Sequence, residues 1–90
     1  MLKNLEDLIK TIRDRKNFSR EKSYTSKLLN DKNLSVSKVK EEVAELIEAV
    51  EKNTNKIHES ADVIYHLLVY LEANNIKIEE VMKELEKRKK

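Results

Sequence analysis

The chain has 90 residues and contains no glycine, no proline and no cysteine. Tight turns in β-sheet proteins draw heavily on glycine and proline. Their absence argues against a hairpin-rich sheet and for helices joined by short polar connections. The lack of cysteine excludes disulfides, thiolate metal sites and a thiol nucleophile; a reducing, cytoplasmic setting is the simpler expectation. The longest apolar run, Val63 to Leu71, is interrupted by His66 and is far too short to span a bilayer. The N-terminal Met1-Leu2-Lys3-Asn4 has no signal-peptide core. The formal net charge is only +2, whereas nucleic-acid binding usually shows a clustered basic face. Neither a membrane nor a nucleic acid is therefore the expected partner.

Charged residues make up 40% of the chain and apolar ones 39%, and the apolar ones are periodic. Leu2, Leu5, Leu8, Ile9 and Ile12 have helical spacing, predicting a helix from Leu2 to about Lys16. Asn17-Phe18-Ser19-Arg20 interrupts it, and a short helical turn is expected around Lys27-Leu28-Leu29. Asn30 to Asn33 reads as a loop in which asparagine takes the place of glycine. A second long helix is predicted from Ser35 or Ser37, carrying Val36, Val39, Val43, Leu46, Ile47 and Val50. Asn53-Thr54-Asn55 ends it. A third runs from about Lys56 to Ala73, and a last carries Ile78, Val81, Met82 and Leu85. The Lys56–Ala73 segment is apolar on most of its surface, so most of that surface requires cover. One domain over residues 1–90 is expected, as an all-α antiparallel helical bundle completed by homodimerisation.

The informative feature is a set of carboxylates. Glu41, Glu42 and Glu45 fall on one helix at separations of three and four, so that Glu45 shares a face with each of the others. Glu59 and Asp62 are three apart on the more apolar helix, with His66 one turn further on. Taken alone, the Glu41–Glu45 group reads as a solvated face. Glu59 and Asp62 on a greasy helix reverse that reading, because buried like charges require a cation. Mg²⁺, held by oxygen ligands, is the usual ion where phosphate is the substrate. A di-iron site of the Glu-x-x-His type is disfavoured, since neither His58 nor His66 follows a glutamate by three. His66 reads as a core histidine hydrogen-bonded to a neighbour, or as support for Asp62.

The pattern Glu41-Glu42-x-x-Glu45 with Glu59-x-x-Asp62 resembles the all-α MazG-type nucleotide pyrophosphohydrolases. Within that superfamily, Ser23-Tyr24-Thr25-x-x-Leu28-Leu29, Lys38-Val39-x-Glu41-Glu42 and Ala61-Asp62-x-x-Tyr65-His66-x-Leu68-Val69 are similar to the phosphoribosyl-ATP pyrophosphohydrolase family. The resemblance covers nearly the whole chain. It implies a cytoplasmic, dimeric, Mg²⁺-dependent enzyme converting phosphoribosyl-ATP to phosphoribosyl-AMP and pyrophosphate in histidine biosynthesis. By position, Glu42, Glu45, Glu59 and Asp62 would hold metal. Glu41 would bind metal or position water. Lys38, Lys27 and Arg13 would meet substrate phosphates. Two usual glycines are missing: Lys40 stands before the glutamate pair, and Asn53-Thr54-Asn55-Lys56 fills the loop before Ile57. The chain would be a stand-alone form, without the cyclohydrolase domain fused to some members. The competing functions are a (d)NTP pyrophosphohydrolase of the same superfamily and a non-catalytic helical dimerisation module.

Overall fold

The structure, a computed structural model, describes residues 2–17 and 23–89. Five helices follow one another: α1 (Lys3–Arg15), α2 (Tyr24–Leu29), α3 (Lys32–Lys52), α4 (Lys56–Ala73) and α5 (Ile78–Lys87). There is no strand among the described residues. Most of the break expected at Asn17 to Arg20 lies outside them.

The helix ends show how the chain turns without glycine. Asp31 caps α3, its side chain accepting from the Leu34 backbone N–H at 3.0 Å. This corrects the expected start at Ser35 or Ser37: an aspartate followed by three residues without a breaker is an N-cap in its own right, so helix replaces the expected loop at Lys32 and Asn33. Ser35 is buried inside the first turns of α3. The left-handed positions that glycine normally fills fall elsewhere, on Asn53 (φ 55°), Asn55 (φ 47°) and Asn75 (φ 58°). Asparagine tolerates that region better than other side chains. The α3–α4 connection thus turns on two asparagines, Asn53 and Asn55. Ser23 caps α2 by accepting from the Ser26 N–H at 3.0 Å.

The apolar core forms where α1, α2 and α4 meet. Ile12, Leu28, Leu29, Leu68, Val69 and Ala73 are buried there, with Leu5, Leu8, Ile9, Leu34, Tyr65 and Ile78 packed around them. The α3–α4 pair is the most extensive helix–helix contact, yet it is not an ordinary core. The buried residues of α3 are Ser35, Glu42 and Ala49, one every seven residues along a single stripe. Two of the three are polar, and one is a carboxylate. Burying a charge without a partner is among the costliest choices a small domain can make.

Much apolar surface stays outside the single chain. Val43, Ile47 and Val50 on α3 and Ile57, Ile64 and Leu67 on α4 are all exposed, Ile57 to 88%. Val43, Ile47 and Val50 recur at helical spacing along α3. No described helix is long and apolar enough to cross a membrane.

Candidate active site

α3 and α4 are the two helices that carry the acidic residues, and their packing brings those residues together. One ligand-capable oxygen from each of Glu42, Glu45 and Glu59 lies within 4.8 Å of the others. A second set, His58, Glu59 and Asp62, meets the same limit and shares Glu59 with the first. Glu42 is only 7% exposed, while Glu45, Glu59 and Asp62 are half-buried. Glu42 Oε2 and Glu59 Oε2 are both shut off from solvent and have no hydrogen-bond partner among the described residues.

The electrostatics follow from this crowding. Burial pushes the Glu42 carboxyl above its ordinary value, and repulsion from Glu45 and Asp62 adds to the rise. Glu59 is raised for the same reasons, desolvation first and then Glu45 and Asp62, with His58 opposing. In both carboxyls the charged form is thus disfavoured. Hard divalent cations such as Mg²⁺ take carboxylate oxygens of this kind as ligands. Two orphaned carboxylate oxygens, a wholly oxygen-donor first set and clustered negative charge fit a hard divalent cation.

The other site residues named from the sequence fall in three places. Glu41 is exposed and belongs to neither ligand set; its Oε2 accepts from Lys38 Nζ at 3.0 Å. That bond raises the Lys38 ammonium above its ordinary pKa, with Tyr24 contributing next. Lys27 is exposed on α2, and its ammonium makes no ion pair among the described residues. Arg13 is committed elsewhere: it donates to both carboxylate oxygens of Glu79 on α5, at 2.8 and 2.5 Å, and lies 3.5 Å from Glu72 on α4. Lys16 joins the same knot through Glu72 (3.2 Å) and Asn75 (3.0 Å). The Arg13 guanidinium holds the Glu79 carboxyl down at about 2.

His66 is buried and spoken for on both ring nitrogens. Nδ1 lies 2.9 Å from the Asp62 backbone carbonyl, which can only accept. Nδ1 therefore carries the hydrogen, and in the neutral ring Nε2 accepts from the Tyr24 hydroxyl at 3.0 Å. A histidine so engaged is a structural joint. His58 is the residue the sequence reading left out. Its Nε2 lies 3.4 Å from Asp62 Oδ2, and the signal for it was the four-residue spacing to Asp62 along one helix face.

The fold and site define an all-α protein with a carboxylate cluster held between two antiparallel helices. Comparison with known proteins identifies the family. Residues 5–89 match the phosphoribosyl-ATP pyrophosphohydrolase family, and the chain belongs to that family of hydrolases. It is 45% identical to the phosphoribosyl-ATP pyrophosphatase of Clostridium novyi, over 96% of this chain and 81% of that protein. The protein of the same name from Halobacterium salinarum is 40% identical, over 94% of this chain and 96% of its own length. The histidine biosynthesis bifunctional protein HisIE of Buchnera aphidicola is 43% identical over 98% of this chain, but the chain spans only 42% of that relative's length.

Proposed function

We propose that the chain hydrolyses phosphoribosyl-ATP to phosphoribosyl-AMP and pyrophosphate in histidine biosynthesis, with Mg²⁺ as cofactor, as a cytoplasmic homodimer. The observation that carries this reading is the convergence of Glu42, Glu45 and Glu59 within 4.8 Å, with two buried carboxylate oxygens left unpartnered. It joins the family membership to a site built for a divalent cation beside phosphate.

In the reaction, water adds to phosphorus at the α–β anhydride, the bridging P–O bond breaks, and pyrophosphate leaves. Mg²⁺ supplies charge neutralisation and polarisation of the phosphates when bound. Glu42, Glu45, Glu59 and Asp62 would hold it. Their ligand role explains why a marginal 90-residue domain tolerates a buried glutamate. Glu41, exposed at the rim, orients the attacking water and accepts its proton. Lys38, already beside Glu41, neutralises phosphate charge on the same side. Lys27, with no ion pair among the described residues, serves the same task. No side chain serves as nucleophile.

The homodimer rests on the uncovered stripes. Val43, Ile47 and Val50 recur at helical spacing on α3, and Ile57, Ile64 and Leu67 do so on α4. A second copy offers a self-complementary apolar face of the right length.

The deciding experiment is pyrophosphate release from phosphoribosyl-ATP, compared with release from dNTPs, with and without Mg²⁺. Turnover of phosphoribosyl-ATP that requires Mg²⁺ and exceeds dNTP turnover by orders of magnitude is expected. Preference for dNTPs would move the chain to the (d)NTP pyrophosphohydrolases. No turnover of either, with a folded protein that ignores Mg²⁺, would leave a dimerisation module.

A further inference from the structure

α2 is only six residues long, too short to hold itself helical in water. Beyond its buried Leu28 and Leu29, it is fastened by hydroxyl groups. Tyr24 OH donates to His66 Nε2 at 3.0 Å, and Thr25 Oγ1 is hydrogen-bonded to Tyr65 OH. Adjacent residues of α2 thus grip adjacent residues of α4. The rings reinforce the grip. Tyr24 stacks on Tyr65 with centroids 6.4 Å apart, and both tyrosines meet the His66 ring edge-on, at 5.9 and 4.9 Å.

Tyr24 does more than join two helices. The residue is 47% exposed while its hydroxyl bonds to the buried His66. Burial raises the Tyr24 phenol above its ordinary pKa, and the Lys38 ammonium opposes the rise. Lys38, in turn, is raised by Tyr24 as well as by Glu41. The phenol sits where α2 meets the Asp62–His66 turn of α4, and α2 also packs against α3.

We propose that Tyr24 is a positioning residue for the nucleotide's phosphates: its hydrogen bond to His66 locks α2, which carries Lys27, beside the Asp62 turn of α4. The claim rests on the hydrolase reading for its substrate, but not for its geometry. Among the described residues Tyr24 makes no hydrogen bond to the carboxylates of Glu42, Glu45, Glu59 or Asp62. Removing its hydroxyl consequently changes how well phosphate is held, and leaves the chemical step and cation affinity alone.

The test compares wild type with Tyr24→Phe, which keeps the ring stack and removes only the hydroxyl. His66→Phe removes the acceptor, and His66→Gln retains one acceptor and one donor. Steady-state kinetics with phosphoribosyl-ATP should give a KM about tenfold higher in Tyr24→Phe and His66→Phe, with kcat within about twofold. His66→Gln should recover much of the lost affinity. A parallel calorimetric titration with inorganic pyrophosphate in saturating Mg²⁺ should show the same loss, while titration with Mg²⁺ alone shows none. Amide hydrogen exchange should quicken in residues 24–29 only. An unchanged KM and pyrophosphate affinity in Tyr24→Phe, even with a lowered melting temperature, would reduce the contact to mere packing and overturn the proposal. So would a fall in kcat or Mg²⁺ affinity with KM unmoved. If wild type turns over no phosphoribosyl-ATP, the hydrolase reading fails, and the pyrophosphate and exchange measurements still decide the role of Tyr24.

Discussion

Replacing Glu42 by glutamine keeps the side chain's shape and removes the one nearly inaccessible charge between α3 and α4. The consequences have opposite signs with and without Mg²⁺. In the apo protein the Glu42 carboxyl is raised above its ordinary 4.5 by burial and by Glu45 and Asp62. A carboxyl raised by folding binds its proton more tightly in the native state than in the unfolded chain. Its contribution to stability is therefore present at low pH and is lost as pH rises through the folded-state value. Apo wild type should lose stability from about pH 4.5 upward on this account, and Glu59 adds to the loss. Apo Glu42→Gln should show a shallower decline and melt higher than apo wild type at pH 7.5. With cation the order reverses. A ligand that binds only the native state at about 100 times its Kd adds about 2.7 kcal/mol. In a domain of this size each kcal/mol moves the melting temperature by about 4–8 °C, so saturating Mg²⁺ should raise wild type by about 11–22 °C. Glu42→Gln takes the charge off one of the three ligands that lie within 4.8 Å and leaves only a neutral amide oxygen, and the rise should shrink to a small fraction. The assay is differential scanning calorimetry over a Mg²⁺ series at pH 5 and pH 7.5. A Glu42→Gln protein that keeps the full Mg²⁺ shift, or that is less stable than wild type without metal at pH 7.5, would refute the site.

Asp62→Asn should abolish turnover at limiting Mg²⁺ while circular dichroism shows native helix content; unchanged turnover there would remove Asp62 from the ligand set. Glu41→Gln should lower kcat strongly and Mg²⁺ affinity little, as read by kinetics and calorimetry side by side, since Glu41 stands outside both carboxylate sets. Leu67 is 43% exposed in the single chain, so Leu67→Glu should leave the protomer folded and convert a micromolar dimer to monomer in sedimentation velocity; a wild-type monomer with full activity would contradict the dimer. Arg13→Met breaks the clamp onto Glu79 and Glu72 and should speed hydrogen exchange in α5 with KM unchanged. A large rise in KM with α5 still protected would instead place Arg13 on substrate phosphate.

The division between what was legible in the chain and what was not follows the range of the interactions. Helix number, order and most boundaries are local matters of apolar period and breaker residues, and they can be read from the sequence. So can the pairing of Glu42 with Glu45 and of Glu59 with Asp62, because three-residue spacing fixes a shared face on any helix. The start of α3 was misplaced: Asp31 and Ser37 both have capping chemistry, and only the geometry at Leu34 N–H decides between them. Left-handed backbone at Asn53 and Asn55 is hinted at by a missing glycine and fixed by the direction in which α4 must return. Tertiary packing alone decided the rest. It set Glu59 beside Glu45 across two helices, left Glu42 Oε2 with no partner among the described residues, joined Arg13 to Glu79 across 66 positions, and brought Tyr24 to His66 across 42. Each is a contact between residues distant in the chain, whose distance depends on the angle and register of packed helices. Side-chain volumes throughout the core set those two quantities together, and no local pattern encodes them.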